Sequence, residues 1–364
     1  MIANTKRYDI AIIGAGPAGC AAALGLGKRG YRIVLIEKEK LPREKVCGDA
    51  IPGPAINALE STFPFFKNEF NTLKQKQSIK SSRIMLKSGR SINYEWVLPA
   101  YNIKREIFDD FLYRLIKKYA DVNILSNYEV EQIIPGTESI IKPKNDKGQI
   151  SARIIIDCSG AGSVFRKPET GNRRPVFAIR NYFKGLSLDA NTNFFWVDKK
   201  FLPGYFWAFP LPGGEFNVGF GIMTGKGGKA EKNPKEALAH FIASDRMAHI
   251  FGDARALSIP KGAIIPVGGG KNVYSDAGLL IAGDAASLAD PLQGHGIDKA
   301  VVSGMLAARQ AIQCFQANDF SADFISGYDH FIKAGLEREL RKNSKRMKLL
   351  SGAPFLLDLY SYFK

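Results

Sequence analysis

The stretch YDIAIIGAGPAGCAAALGLGKRGYRIVLIE, residues 8–37, decides the fold. Its opening, Tyr8 to Ile13, is a short apolar run that stops at a glycine, the pattern of a buried strand. The small-residue stretch from Cys20 to Gly30 predicts a helix, and Arg32 to Ile36 predicts a second buried strand ending on Glu37. Strand, helix and strand joined by Gly14-x-Gly16-x-x-Gly19 make a βαβ unit. In such a turn Gly14 permits the tight bend, Gly16 lets a pyrophosphate approach the backbone, and Gly19 lets the helix lie close to the strand. Pro17 and Ala18 open the helix, whose free N–H groups and positive dipole end favour a phosphate. Glu37, with Lys38 beside it, stands 18 residues past Gly19. An acid there accepts hydrogen bonds from a ribose, and its charge disfavours a 2′-phosphate. The segment predicts dinucleotide binding.

Outward from this unit, 364 residues at 45% hydrophobic and 24% charged describe a folded chain of two or more units, not a disordered, collagen-like or coiled-coil one. No run approaches the ~18 apolar residues of a membrane span. Met1 to Arg7 is polar and lacks the apolar core of a secretory signal. Cys20, Cys47, Cys158 and Cys314 are scattered, forming neither a disulfide framework nor a metal motif. The expectation is a cytoplasmic protein without a metal site. The net charge of +16 is unevenly spread. Phe70 to Tyr94 carries six basic residues and no acid, and Lys333 to Lys348 carries seven against Glu337 and Glu339. No helix-turn-helix, finger or RNA-recognition motif accompanies them, so nucleic acid is not an expected partner. The basic stretch followed by the apolar-aromatic residues 354–363 fits two descriptions. One is a segment lying peripherally on the inner face of a membrane; the other is a capping helix with a solvated basic face.

A second set of signals lies far along the chain. Leu279 to Ala286, LLIAGDAA, is a strand ending in Gly283-Asp284, followed by Pro291-Leu292-Gln293-Gly294-His295-Gly296-Ile297 and a long helical stretch to Gln316. Together with the first unit this resembles the para-hydroxybenzoate hydroxylase-type flavoproteins. The resemblance implies FAD, with Asp284 hydrogen-bonded to the ribityl chain. It also implies that the loop containing Pro291, Gly294, His295, Gly296 and Ile297 faces the N1–C2=O edge of the flavin. Ile154 to Arg166 resembles the family's Asp-Gly segment, with Gly160, Ser163 and Arg166 matching and Ser159 standing where an aspartate is expected. That segment helps hold FAD and is implicated in NAD(P)H use. No second Gly-x-Gly-x-x-Gly unit follows a strand, so NAD(P)H or another external electron donor is expected to dock only transiently. Arg105, in NIKREIFDDFLYRLI, matches an arginine that lines the FAD phosphates; the plain reading is a surface arginine in a first helical turn.

Pro42-Arg43-Glu44-Lys45-Val46-Cys47-Gly48-Asp49, Pro203-Gly204-Tyr205-Phe206-Trp207-Ala208-Phe209-Pro210 and Phe216-Asn217-Val218-Gly219 together resemble the geranylgeranyl reductase family, over about residues 7–310. The implied fold class is α/β, a Rossmann-type FAD-binding domain with an inserted, mainly antiparallel β-sheet substrate domain and a C-terminal helical segment. The expected boundaries are 1–60, 98–170 and 267–314 for the FAD-binding domain, 61–97 and 171–266 for the substrate domain, and 315–364 for the helical segment. The resemblance implies that Arg43, Cys47, Gly48 and Asp49 border the cofactor, with Cys47 near the isoalloxazine ring. Alternation puts Tyr205, Trp207 and Phe209 on one face of a strand, as core or as the wall of an apolar substrate tunnel. Cys47 is either a proton donor or a small buried hydrophobe, and His295 either a donor to the flavin edge or a solvent-facing loop residue. The expected activity is reduction of carbon–carbon double bonds in an isoprenoid or other apolar substrate, with Cys47, Tyr205 or water giving the proton. A flavin-dependent hydroxylase is the alternative. Halogenation is disfavoured, because Tyr205 replaces the first Trp of the halogenase Trp-x-Trp-x-Ile-Pro pattern and no equivalent of the halogenase lysine is present. Oligomeric state stays open.

Overall fold

The computed structural model describes residues 5–145, 147–165, 175–223, 233–269 and 272–353. Arg166 and the segment 354–363, both singled out above, lie outside them. Two sheets organise the chain. The first runs in the order Ser275–Asp276, Leu279–Ile281, Ile150–Asp157, Lys6–Ile13, Ile33–Ile36, Asn123–Leu125. Its central pairings are parallel, and a hairpin of Val130–Ile134 and Ser139–Pro143 extends from Ile150–Asp157. Strand Lys6–Ile13 is buried on both faces, which explains its unbroken apolar run. Ile10 and Ile12 enter the core beneath the helices Pro17–Leu26, Arg105–Tyr119 and Ile297–Ala317, while Ala11 and Ile13 enter the one shared with the hairpin.

Two glycines of the first turn are required sterically. Gly14 has φ +100°, and a Cβ there would lie 2.4 Å from the carbonyl oxygen of Cys158. A Cβ on Gly19 would lie 1.9 Å from the carbonyl oxygen of Gly14, so the helix seats against the turn only without one.

The second sheet runs Arg255–Ala256, Val176–Lys184, Glu215–Met223, Tyr205–Leu211, Thr192–Val197, Gln77–Leu86, Ser91–Asn102, Ala50–Ile51, with Lys261–Ile265 also paired to Val176–Lys184. Its pairings are antiparallel except between Thr192–Val197 and Gln77–Leu86. One face buries Phe194, Trp196, Phe206, Val218 and Phe220 against the helices Pro234–Ile242 and Asp245–Phe251. The chain enters this sheet at other points than the expected boundaries of 61–97 and 171–266. Residues 61–72 are largely helical, because Leu59, Phe63, Phe66 and Phe70 recur at helical spacing and bury in the first core. Strand structure begins at Gln77, and Ala50–Ile51 and residues 98–102 hydrogen-bond into the second sheet. After Ala317 come Ala322–Ile332, a π-helical turn Lys333–Glu337, and Arg338–Gly352. Among the described residues no helix is long and apolar enough to cross a membrane.

Candidate active site

The carboxyl ends of Lys6–Ile13, Ile150–Asp157 and Leu279–Ile281 converge, the position at which open α/β sheets bind ligands. Around them gather the turn Gly14–Gly16, the segment after Asp157 and the turn Gly283–Ala286. No atom lies within 4 Å of a Cβ built on Gly16, leaving open space before the helix Pro17–Leu26. That helix has no side-chain cap and no acid in its first turn, so its N–H groups are free for an anion. Glu37 is buried; its Oε2 accepts from the Ala15 amide at 2.9 Å and from Arg43 Nη2 at 3.2 Å. Arg43 also reaches Asp109 at 3.5 Å, and Arg105 pairs with both oxygens of Asp109 at 2.7 and 2.9 Å. The Nε of Arg43 is buried with no acceptor among the described residues. Lys38 points outward, 3.9 Å from Glu39.

Asp157 anchors the third segment. It is buried at the strand end and accepts from the Ser159 amide and from the hydroxyls of Ser159 and Ser163. Ser159, the departure from the family pattern, is thereby a local tie, and it leads into Gly160 at φ +81°.

The second fingerprint is folded around Asp290, which is fully buried and accepts from the Leu292 amide at 2.8 Å, the Gln293 amide at 2.9 Å and Asn343 Nδ2 at 2.6 Å. Asp284 is half-buried, its carboxylate without a protein hydrogen bond among the described residues. Its Oδ1 lies 3.5 Å from where a Cβ on Gly296 would sit, so the two halves of the fingerprint meet. The His295 ring is held within its own loop. Its Nδ1 is 2.9 Å from Asp298 Oδ1 and its Nε2 bonds the Gln293 side chain, so both ring nitrogens are used inside the protein. Burial lowers its pKa, but the hydrogen bond and charge of Asp298 outweigh burial, and the net shift is upward.

The 42–49 segment crosses the second sheet. A Cβ on Gly48 would lie 3.2 Å from the Phe209 ring and 3.6 Å from Trp207 Nε1. Trp207 Nε1 donates to Asn217 Oδ1 at 2.9 Å, while Asn217 Nδ2 donates to the Cys47 carbonyl at 2.8 Å and to Asp49 Oδ2 at 2.7 Å. Asp49, at φ +66°, is fully buried and also accepts from the Tyr182 hydroxyl and the Arg105 amide. Its carboxylate works within the protein, and burial pushes its pKa up. Tyr205, Trp207 and Phe209 share a face with Phe195, whose ring is 5.5 Å from Tyr205 and 5.1 Å from Phe209. At the other end of this stripe the Tyr205 hydroxyl donates to the Gln293 carbonyl at 2.6 Å. The aromatic face thus spans from the Gln293–Gly294 loop to the Cys47–Gly48 loop. Burial pushes the Cys47 thiol above its ordinary pKa although the adjacent Arg105 favours the thiolate, so the sulfur keeps its proton near neutrality. Sequence reasoning assigned no role to Asn217, Asp109, Asp290 or Phe195. Two signals were readable: a lone amide inside the apolar strand Glu215–Met223, and an acid one turn after Arg105.

A family model described as FAD dependent oxidoreductase matches residues 9–170, and one described as geranylgeranyl reductase catalytic domain matches residues 176–264. The chain belongs to the geranylgeranyl reductase family of FAD-dependent oxidoreductases. It is 27% identical over 337 residues to digeranylgeranylglycerophospholipid reductase 2 of Methanopyrus kandleri, covering 88% of this chain and 81% of that protein. With the menaquinone reductase of Mycolicibacterium smegmatis it shares 26% over 336 residues, covering 83% and 76%. The structure of a geranylgeranyl bacteriochlorophyll reductase-like protein from Thermoplasma acidophilum superposes with a TM-score of 0.81 at 23% identity, covering 96% of this chain and 88% of that one. A halogenase shares the fold at a TM-score of 0.78 and 14% identity, covering 95% and 77%. As a reductase-family member the protein uses FAD. The residues present fit it, through the open backbone at Gly16, the orphaned Arg43 Nε and the unpartnered Asp284 carboxylate.

Proposed function

We propose that this oxidoreductase saturates carbon–carbon double bonds of an isoprenoid, lipid-like substrate. The observation that carries the reading is the aromatic face of Tyr205, Trp207, Phe209 and Phe195, bounded at one end by the Gln293–Gly294 loop and at the other by Cys47–Gly48. Such a face suits a long apolar chain, and two relatives are named for digeranylgeranylglycerophospholipid and menaquinone. FAD held at Gly16, Arg43 and Asp284 would, when reduced, supply hydride chemistry for one alkene carbon. The aromatic side chains orient the alkene and exclude water. Cys47 delivers a proton to the other carbon, since its thiol stays protonated while the Tyr205 hydroxyl is held by the Gln293 carbonyl. An external donor, NAD(P)H or another reductant docking transiently, restores the electrons. The test is to reduce the FAD-loaded protein chemically without oxygen, add geranylgeranyl diphosphate, and follow flavin absorbance and product mass. Reoxidation with two hydrogens gained per saturated bond is expected. Reoxidation that requires oxygen and yields a hydroxylated product overturns the reading.

We also propose peripheral contact of the C-terminal basic face with an anionic membrane surface. Lys333, Arg338, Arg341, Lys342 and Lys345 line one concavity of about 390 Å³, and Leu349 nearby on the same helix is exposed. Cations beside an exposed apolar side chain are the chemistry of a surface-lying helix.

A further inference from the structure

We propose that Arg180 anchors a phosphate oxyanion at the head of the substrate, a proposal that rests on the isoprenoid reading above. Arg180 lies opposite Gly219, Gly219 opposite Trp207, and Trp207 opposite Phe195. Residues paired across strands point to the same face, so Arg180 shares the aromatic face, two strands or roughly 10 Å from Trp207. Nothing bulky stands between them. A Cβ on Gly219 would strike the Trp207 ring at 2.2 Å, so the indole lies across that glycine.

The guanidinium is 1% exposed and stacks 4.2 Å over the Tyr182 ring. Its Nη2 donates to Glu44 Oε1, while its Nε and Nη1 have no acceptor among the described residues. Lys261, opposite Arg180 on the neighbouring strand, donates to the other oxygen of Glu44. Buried N–H donors without acceptors are rare in folded proteins and ask for a partner that arrives from outside. Arg180 and Lys261 share the Glu44 carboxylate, the buried Asp49 carboxylate on the Tyr182 hydroxyl also feels the Arg180 charge, and the Glu44 side chain is 42% exposed, so it can leave toward solvent. An entering oxyanion replaces that carboxylate and satisfies the remaining donors. A phosphate does so best, because it brings charge and several acceptor oxygens at once. The prenyl chain then extends from Arg180 across the indole toward Tyr205.

The test measures binding to the oxidised, FAD-loaded protein by flavin absorbance and tryptophan fluorescence, without turnover. The probes are geranylgeranyl diphosphate, digeranylgeranylglyceryl phosphate and uncharged geranylgeraniol. R180Q is expected to weaken the phosphate-bearing probes by about tenfold or more, the scale of a lost charged hydrogen bond, and to leave geranylgeraniol unchanged. E44Q, which removes the competing carboxylate, is expected to tighten the same probes. Which of the two responds more strongly to R180Q separates a diphosphate head from a glycerophosphate one. Should R180Q fail to hold FAD, R180K retains a cation and is expected to bind the phosphate probes more weakly than wild type. Equal weakening of all three probes, or no weakening, overturns the anchor while leaving the isoprenoid reading intact. Failure of the wild-type protein to bind any prenyl probe overturns both.

Discussion

Replacing Asn217 by alanine tests whether the aromatic strand and the Cys47 loop are held as one piece. The amide is fully buried and makes three hydrogen bonds, with Trp207 Nε1, the Cys47 carbonyl and Asp49 Oδ2. Alanine leaves the indole N–H and the Cys47 carbonyl unpaired, while Asp49 keeps the Tyr182 hydroxyl and the Arg105 amide. A buried group left unpaired costs about 1–3 kcal/mol, so two orphans and one weakened carboxylate bring the loss to about 3–5 kcal/mol. Against a native stability of about 5–15 kcal/mol that is a large fraction. The deficit also depends on pH. Burial raises the Asp49 pKa above 3.8, and the Asn217 bond is the largest effect pulling it back. Between the ordinary and the raised value the folded state binds more protons than the unfolded one, so this carboxyl's contribution to stability falls as pH rises. Removing Asn217 raises the folded pKa further, and the variant's deficit therefore grows from acid toward neutral pH. Urea unfolding of the FAD-loaded protein at about pH 4.5 and about pH 7.5, followed by tryptophan and flavin fluorescence, reads both quantities. A loss below about 1 kcal/mol, or one equal at the two pH values, would refute the reasoning.

Gly19→Ala places a methyl 1.9 Å from the Gly14 carbonyl oxygen, so the purified variant is expected to have lost its yellow colour; normal flavin content contradicts the packing argument. Asp284→Ala is expected to weaken FAD binding by about 1–3 kcal/mol in titrations of the apoprotein, and unchanged affinity removes Asp284 from the cofactor site. Cys47→Ala is expected to slow anaerobic reoxidation by alkene about 10²- to 10⁴-fold with FAD still bound, and unchanged turnover returns the thiol to a packing role. Binding to anionic vesicles is expected to fall steeply with salt and with Lys342, Lys345 and Lys348 changed to Glu, at about 1 kcal/mol per cation near the surface. Equal sedimentation with neutral vesicles excludes the surface contact.

What was legible in the sequence was local. The first βαβ unit announces itself because each element is continuous in the chain and Gly14 and Gly19 meet partners set by the same turn or the strand beside it. The alternation of Tyr205, Trp207 and Phe209 was readable for the same reason, since a pleated strand fixes the face. What faces that stripe was not readable. The bond from Asn217 to Cys47 joins residues 170 apart, and the Tyr205 hydroxyl reaches a carbonyl 88 residues away. His295 stood in between. A glycine-flanked histidine suggested an exposed or flavin-facing ring, yet Asp298 lies three residues on, within reach across one helical turn. Arg105 was read as lining the phosphates or as a surface residue; it is buried, its guanidinium pairs with Asp109, four residues along the same helix, and it lies beside Cys47.

The same long-range logic makes the C-terminal helix part of the site's frame. Lys299 is buried next to the Pro291–Ile297 loop, and a buried ammonium persists only with carboxylates around it. It has two, Asp298 at 2.7 Å and Glu339 at 3.3 Å, and Glu339 belongs to the helix Arg338–Gly352. Asp298 is held well below the usual carboxylate range, its burial outweighed by His295 and Lys299. One turn along that helix, Asn343 bonds Asp290, the residue on which the loop is folded. The inner face of this helix is therefore committed to Lys299, through Glu339, and to Asp290, through Asn343, while its lysines and arginines are left outside. A strongly basic helix that carried only solubility would need no such inner contacts. The contacts it makes tie whatever its outer face meets to the backbone of the loop from Asp290 to Ile297.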